Sequence, residues 1–133
     1  MTDALSVVRQ FGVALHEGDL DGACRYLHED LLVREAGGLP YSGEYVGPQG
    51  FRALLNEINQ HLELRAGPMT QDPLPTDSVI SRFEATFISL NSGESVVLRL
   101  VEIYRVRDGQ IVELDVYYKD PSAVSALLSP STP

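Results

Sequence analysis

Apolar residues recur at helical spacing from about residue 3, where Leu5, Val8, Gly12 and Leu15, flanked by Val7, Phe11 and Ala14, fall on one side of a helix. Thr2 is available as its capping hydroxyl, and Gly18 stops it. Asp19 can cap a second helix at once, with Leu20, Ala23, Cys24 and Leu27 on one face and an acidic end at His28-Glu29-Asp30. Leu31 to Ala36 is short, branched and apolar enough for a strand. The Gly37-Gly38-Leu39-Pro40 run cannot extend it, so a loop is expected over 37–47. Gly47-Pro48 then places proline in the first turn of a third helix. Phe51, Leu54, Leu55, Ile58 and Leu62 mark its buried face, and it is expected to end near Ala66-Gly67-Pro68.

Beyond a Pro- and Asp-rich linker at 68–77 the period changes to two. Phe83, Ala85 and Phe87 alternate with Glu84, Thr86 and Ile88, which predicts a strand. Asn91-Ser92-Gly93 turns the chain into a second strand over about 95–107, and Asp108-Gly109, a strong hairpin signal, into a third that ends at Tyr118. Helices first and a meander afterwards predict an α+β fold: a cone-shaped, curved antiparallel sheet packed against three N-terminal helices. One domain over residues 1–128 is expected, with a disordered tail at 129–133.

The length of 133 residues suits a single core, and 44% hydrophobic with 22% charged residues is ordinary globular composition. Nineteen acidic against ten basic residues give a net charge of −9, a sign that repels phosphate backbones and argues against nucleic acid as a partner. The first ten residues carry no basic segment leading into an apolar run, and no stretch is long and apolar enough for a membrane span, so a cytoplasmic protein with no membrane partner is expected. A lone Cys24 cannot form an internal disulfide and reads as core filler.

Two carboxylates stand out against this pattern. In the 95–107 strand one face reads Val96, Leu98, Leu100, Glu102, Tyr104 and Val106, whereas the other carries Arg99, Arg105 and Arg107. Glu102 therefore sits on the apolar face, where loss of water disfavours its charged form. Glu35 shares a strand face with Leu31 and Val33, while Arg34 points the other way. Two acids directed into one cavity can divide the roles of base and acid if their surroundings separate their pKa values. The plainer account of either is a solvated group at a sheet end, or one paired with arginine. Asp115, on the face of Glu113, reads as solvated. His16, His28 and His61 each end a predicted helical segment, where a cation is favoured. No metal-ligand spacing, phosphate-binding glycine loop or Gly-x-Ser-x-Gly elbow is present, so neither a metal nor another cofactor is expected.

The stretch from Val8 to Gly22, which reads VRQFGVALHEGDLDG, resembles the opening of ketosteroid isomerases and SnoaL-like polyketide cyclases of the nuclear transport factor two-like superfamily. Leu39-Pro40-Tyr41-Ser42-Gly43-Glu44-Tyr45-Val46-Gly47, Arg107 to Val112 and Tyr117-Tyr118-Lys119-Asp120-Pro121 look like later landmarks of the SnoaL-like branch. The resemblance implies the cystatin-like cone enclosing an apolar pocket. It puts Glu35 at the position of the isomerase's general base and Glu102 at that of its neutral, hydrogen-bond-donating acid. It also implies a pocket lined by Phe11, Leu15, Phe51, Phe83, Phe87, Leu100, Tyr104, Leu114, Val116 and Tyr118. Where the isomerase carries a tyrosine oxyanion donor on its first helix, this chain has Phe11, which argues against steroid isomerisation by that route.

The implied activity is cofactor-free isomerase, cyclase, dehydratase or epoxide-hydrolase chemistry on a small apolar organic ligand, of a kind found in secondary metabolism. A non-catalytic binding or interaction module of the same fold is the alternative. The outer sheet face, with Arg99, Val101 and Ile103, is expected to form a homodimer.

Overall fold

A computed structural model describes residues 3–129. Its elements run α1 (Ala4–His16), α2 (Leu20–Cys24), β1 (Leu27–Glu35), β2 (Gly43–Val46), α3 (Gly47–His61), β3 (Leu62–Leu74), β4 (Ser78–Ser89), β5 (Ser95–Arg107), β6 (Gln110–Tyr118) and α4 (Pro121–Leu128). The Asp3 carboxylate caps α1 by accepting the Ser6 N–H at 2.8 Å. The expected cap, Thr2, lies outside the described residues, as does the expected tail apart from Ser129. Gly18 leaves α1 with a φ of 76°, and Asp19 caps α2 by accepting the Gly22 N–H at 2.9 Å, both as the pattern predicts.

Several boundaries differ from expectation. The second helix stops at Cys24, and the chain is already extended at Leu27, so His28 lies in β1 rather than at a helix end. Its Nδ1 accepts the Asp30 N–H at 2.9 Å. Residues 43–46, expected as loop, pair with β1 as a short edge strand. The third helix ends at His61, and the segment expected to be helix end and linker is the long strand β3. Leu62 fits the apolar face of a helix and the start of a strand equally well, and the pairing partner offered by β4 decides between them. Gly67 and Pro68 do not end this strand because it is an edge strand. They sit where the register slips between Ala66 and Met69, a bulge that tolerates a missing N–H and bends the ladder. A Cβ on Gly67 would come within 3.0 Å of the Glu84 carbonyl oxygen. The terminal helix α4, absent from the sequence expectation, is capped by Asp120 with Pro121 in its first turn and buries Val124.

The sheet has the order β2-β1-β6-β5-β4-β3. Every pairing is antiparallel except β1 with β6, which run parallel. Asp108 and Gly109, at φ 52° and 76°, make the expected β5–β6 hairpin. Helices α1 and α3 lie against the concave face with α2 packed on α1, and alternation along β4 and β5 sends one set of side chains into a single apolar core beneath them. Among the described residues no helix is long and apolar enough to cross a membrane.

Candidate functional site

The ladder register brings the two predicted acids into one row. Val33 pairs with Leu114 and Arg34 with Asp115, so one step further along the parallel ladder sets Glu35 beside Val116, which pairs with Glu102. Two strand spacings separate the two backbones, about 10 Å. Glu102 in turn pairs with Ser81 and Ser81 with Gln71, whose Nε2 donates to the buried Ser81 Oγ at 3.0 Å. Arg34 turns to the convex face, where it meets Glu113 at 2.6 Å and Glu44 at 3.6 Å. Neither acid therefore uses it as a counter-ion.

Burial dominates the electrostatics of both carboxyls. Desolvation pushes Glu35 up from 4.5 to about 7. The Ala36 N–H, donating to Oε1 at 2.9 Å, opposes the rise, the charge of Glu102 adds to it, and the Tyr118 hydroxyl opposes it. Glu102 is likewise pushed to about 7 by burial, against the Tyr104 hydroxyl, which donates to its Oε1 at 3.0 Å. At neutral pH a pair so placed holds both a proton and a charge, shared between two interacting groups.

Three tyrosine hydroxyls border this row. Burial raises Tyr41, Tyr104 and Tyr118 above the ordinary phenol range, so all three remain protonated donors. Tyr41 and Tyr118 meet hydroxyl to hydroxyl at 2.9 Å, and the Tyr41 side chain is fully buried. Tyr118 was expected here as a lining residue. Tyr41 was not: it appeared only inside the Leu39-to-Gly47 landmark, and its loop carries no periodicity that would mark an inward residue.

Of the other expected lining residues, Phe11, Phe51, Phe83, Phe87, Leu100, Leu114 and Val116 are buried in the one core, together with Tyr104, and Leu15 is half-buried beside them. Phe11 packs on Phe51 at 5.5 Å and on Tyr104 at 6.2 Å between centroids, and Phe87 packs on Tyr118 at 5.4 Å. Phe11 thus presses an apolar ring on the tyrosine that serves Glu102. A cavity of about 570 Å³ lies between the end of α3, the β4–β5 turn and the end of α4, and another of about 480 Å³ beside Arg105 and Arg107. Neither is lined by Glu35 or Glu102. Cys24 is half-buried at the end of α2, and Asp115 accepts the Tyr117 hydroxyl at 2.9 Å on the exposed side. Among the described residues no three His, Cys, Asp or Glu side chains gather as metal ligands.

The family model of the SnoaL-like domain matches residues 8–114, from the first helix to the middle of β6. The chain belongs to the SnoaL-like family. Solved structures with the same nuclear transport factor two-like fold agree. One is an NTF2-like protein of unknown function from Burkholderia pseudomallei, at TM-score 0.85 and 22% identity, covering 98% of this chain and 100% of its own. A protein from Xanthomonas campestris with a provisional assignment as a polyketide cyclase superposes at 0.80 with 21% identity over 95% and 96% of the two chains. TerC, co-crystallised with polyporic acid, superposes at 0.83 with 17% identity over 96% and 100%. At these identities the likeness to this SnoaL-like chain is one of fold. No curated protein matches it in sequence.

Proposed function

We propose that this SnoaL-like protein is a cofactor-free acid/base enzyme of the isomerase, cyclase or lyase type, acting on a small apolar carbonyl or epoxide compound. The observation that carries this reading is the Glu35–Glu102 row, two carboxyls on one concave face that burial brings to about 7. Glu35, less buried and held by the Ala36 N–H, is the ionised base that removes a proton next to the carbonyl. Glu102 holds the remaining proton and donates a hydrogen bond to the substrate oxygen as negative charge develops. The apolar side chains around the row hold the organic frame and exclude water. Fold relatives that carry a provisional cyclase assignment, or that crystallise with an organic ligand, support this substrate class.

Exchange of the α-protons of 2-tetralone in D₂O, followed by proton NMR, tests the chemistry without knowledge of the natural substrate. Catalysed exchange is expected, and Glu35→Gln should slow it by about a hundredfold. Equal exchange by the wild type and this variant would reject the assignment.

A second reading, a binding or interaction module with the same fold and no chemistry, draws on one observation: the 570 Å³ and 480 Å³ cavities lie away from both acids. It predicts a ligand that binds without turnover and no loss of binding in Glu35→Gln.

For the convex face we propose a second copy of this chain as the occupant. Val97 and Tyr117 are 57% and 51% exposed there, and Val101 and Ile103 lie half-buried between them. Arg34, Arg99 and Arg105 alternate on this face with Glu84, Glu113 and Asp115, a charge pattern that a twofold axis can match with itself.

A further inference from the structure

Each acid of the row gives the protein only one of its two oxygens. Glu35 Oε1 accepts the Ala36 N–H at 2.9 Å, and Glu102 Oε1 accepts the Tyr104 hydroxyl at 3.0 Å. Among the described residues neither Oε2 has a hydrogen-bond partner, yet no side-chain oxygen or nitrogen there is sealed from solvent without one. Both glutamates are half-buried. Each Oε2 therefore reaches accessible space, from a side chain rooted on the concave face.

The bond from Tyr104 runs in one direction. Its hydroxyl donates to Glu102 and has no second partner among the described residues, and the residue is 6% exposed. Were the acid's proton on Oε1 and given to Tyr104, the phenol proton would be left in the core with no acceptor, a costly state. Oε1 is thus committed as an acceptor, and a protonated Glu102 carries its proton on Oε2. Tyr104 and Glu102 lie two positions apart on β5 and share its concave face. The edge of Phe11 meets the Tyr104 ring at 6.2 Å, and Phe11 is itself packed on Phe51 at 5.5 Å, so the ring has little room to turn.

We infer that Tyr104 is a positioning residue for the acid: by occupying Oε1 it leaves Oε2 as the one atom of Glu102 that gives a proton or hydrogen bond to a substrate oxygen. Phe11, which has no hydroxyl to offer, contributes by fixing that ring. The titratable groups that bear on Glu102 are Tyr104 on its own strand, Glu35 from β1 and Tyr118 from β6; its ladder partner on β4 is Ser81.

This inference rests on the acid role proposed for Glu102, but its first test needs no substrate. In whole protein labelled with ¹³C at the tyrosine Cζ and glutamate Cδ positions, the Tyr104 signal should titrate in step with the Glu102 carboxyl. Tyr104→Phe, which keeps the ring against Phe11, should raise the Glu102 midpoint by about one pH unit. 2-Naphthol, a flat analogue of the enol of 2-tetralone, should shift the Glu102 carboxyl signal and leave that of Tyr104 in place, because it meets Oε2. In 2-tetralone exchange Tyr104→Phe should lower kcat by about tenfold with KM little changed. A Tyr104 signal that ignores the Glu102 titration, a Glu102 midpoint unmoved in Tyr104→Phe, or a Tyr104 signal displaced by 2-naphthol would overturn the inference. Coupled titration in a protein that exchanges no 2-tetralone would uphold the hold of Tyr104 on Oε1 and overturn the enzyme reading alone.

Discussion

Glu102→Gln should make the protein more stable at alkaline pH, the reverse of what loss of a hydrogen-bonded side chain usually does. Burial raises Glu102 from 4.5 to about 7, so the folded state favours its neutral form. The stability associated with that neutral form is complete below about pH 4.5 and is lost as pH rises through about 7. Linkage from these two values gives a loss of about 3 kcal/mol by pH 8 and about 1 kcal/mol at pH 5. A glutamine of nearly the same shape keeps an acceptor for the Tyr104 hydroxyl and cannot ionise.

Relative to wild type, the variant should therefore gain about 2–3 kcal/mol between pH 5 and pH 8. For a chain of this length that is a difference of roughly 9 °C in melting temperature. Thermal unfolding followed by circular dichroism at the two pH values measures it directly. Parallel melting temperatures for wild type and Glu102→Gln at both pH values would refute a desolvated carboxyl on the concave face, and with it the acid role proposed for Glu102.

If Glu35 acts as base and Glu102 as acid, the exchange rate should follow a narrow bell centred near pH 7, measured as initial rate against pH. A simple rise to a plateau would remove the acid. Gly47→Ala should destabilise the fold by about 1–3 kcal/mol in urea titration, because Gly47 has φ 71° and a Cβ there would stand 2.9 Å from the Glu29 carbonyl oxygen. Phe11→Ala should cost about 3–5 kcal/mol in the same measurement, since the ring is 1% exposed and packs against Phe51 and Tyr104. Light scattering should find a dimer that Val97→Glu dissociates; a wild-type monomer at micromolar concentration would remove the proposed use of the convex face.

Local chemistry alone determined a good part of this molecule. The Asp19 cap, the Gly18 stop and the Asp108-Gly109 hairpin depend on neighbours within a few residues, and the two-residue period of β4 and β5 assigns their faces without knowledge of any partner. That period also placed Glu102 on the apolar side. Tertiary structure decided the rest, wherever the deciding neighbour is distant in sequence. Leu62 to Leu74 is a strand because β4 offers it a ladder and the sheet edge tolerates Gly67 and Pro68. The row joining Glu35 to Glu102 exists only because β1 runs parallel to β6, a pairing of segments some eighty residues apart that no local period encodes. Tyr41 was invisible for the same reason: its hydroxyl meets one on the far strand, and no period along its loop marks it as inward.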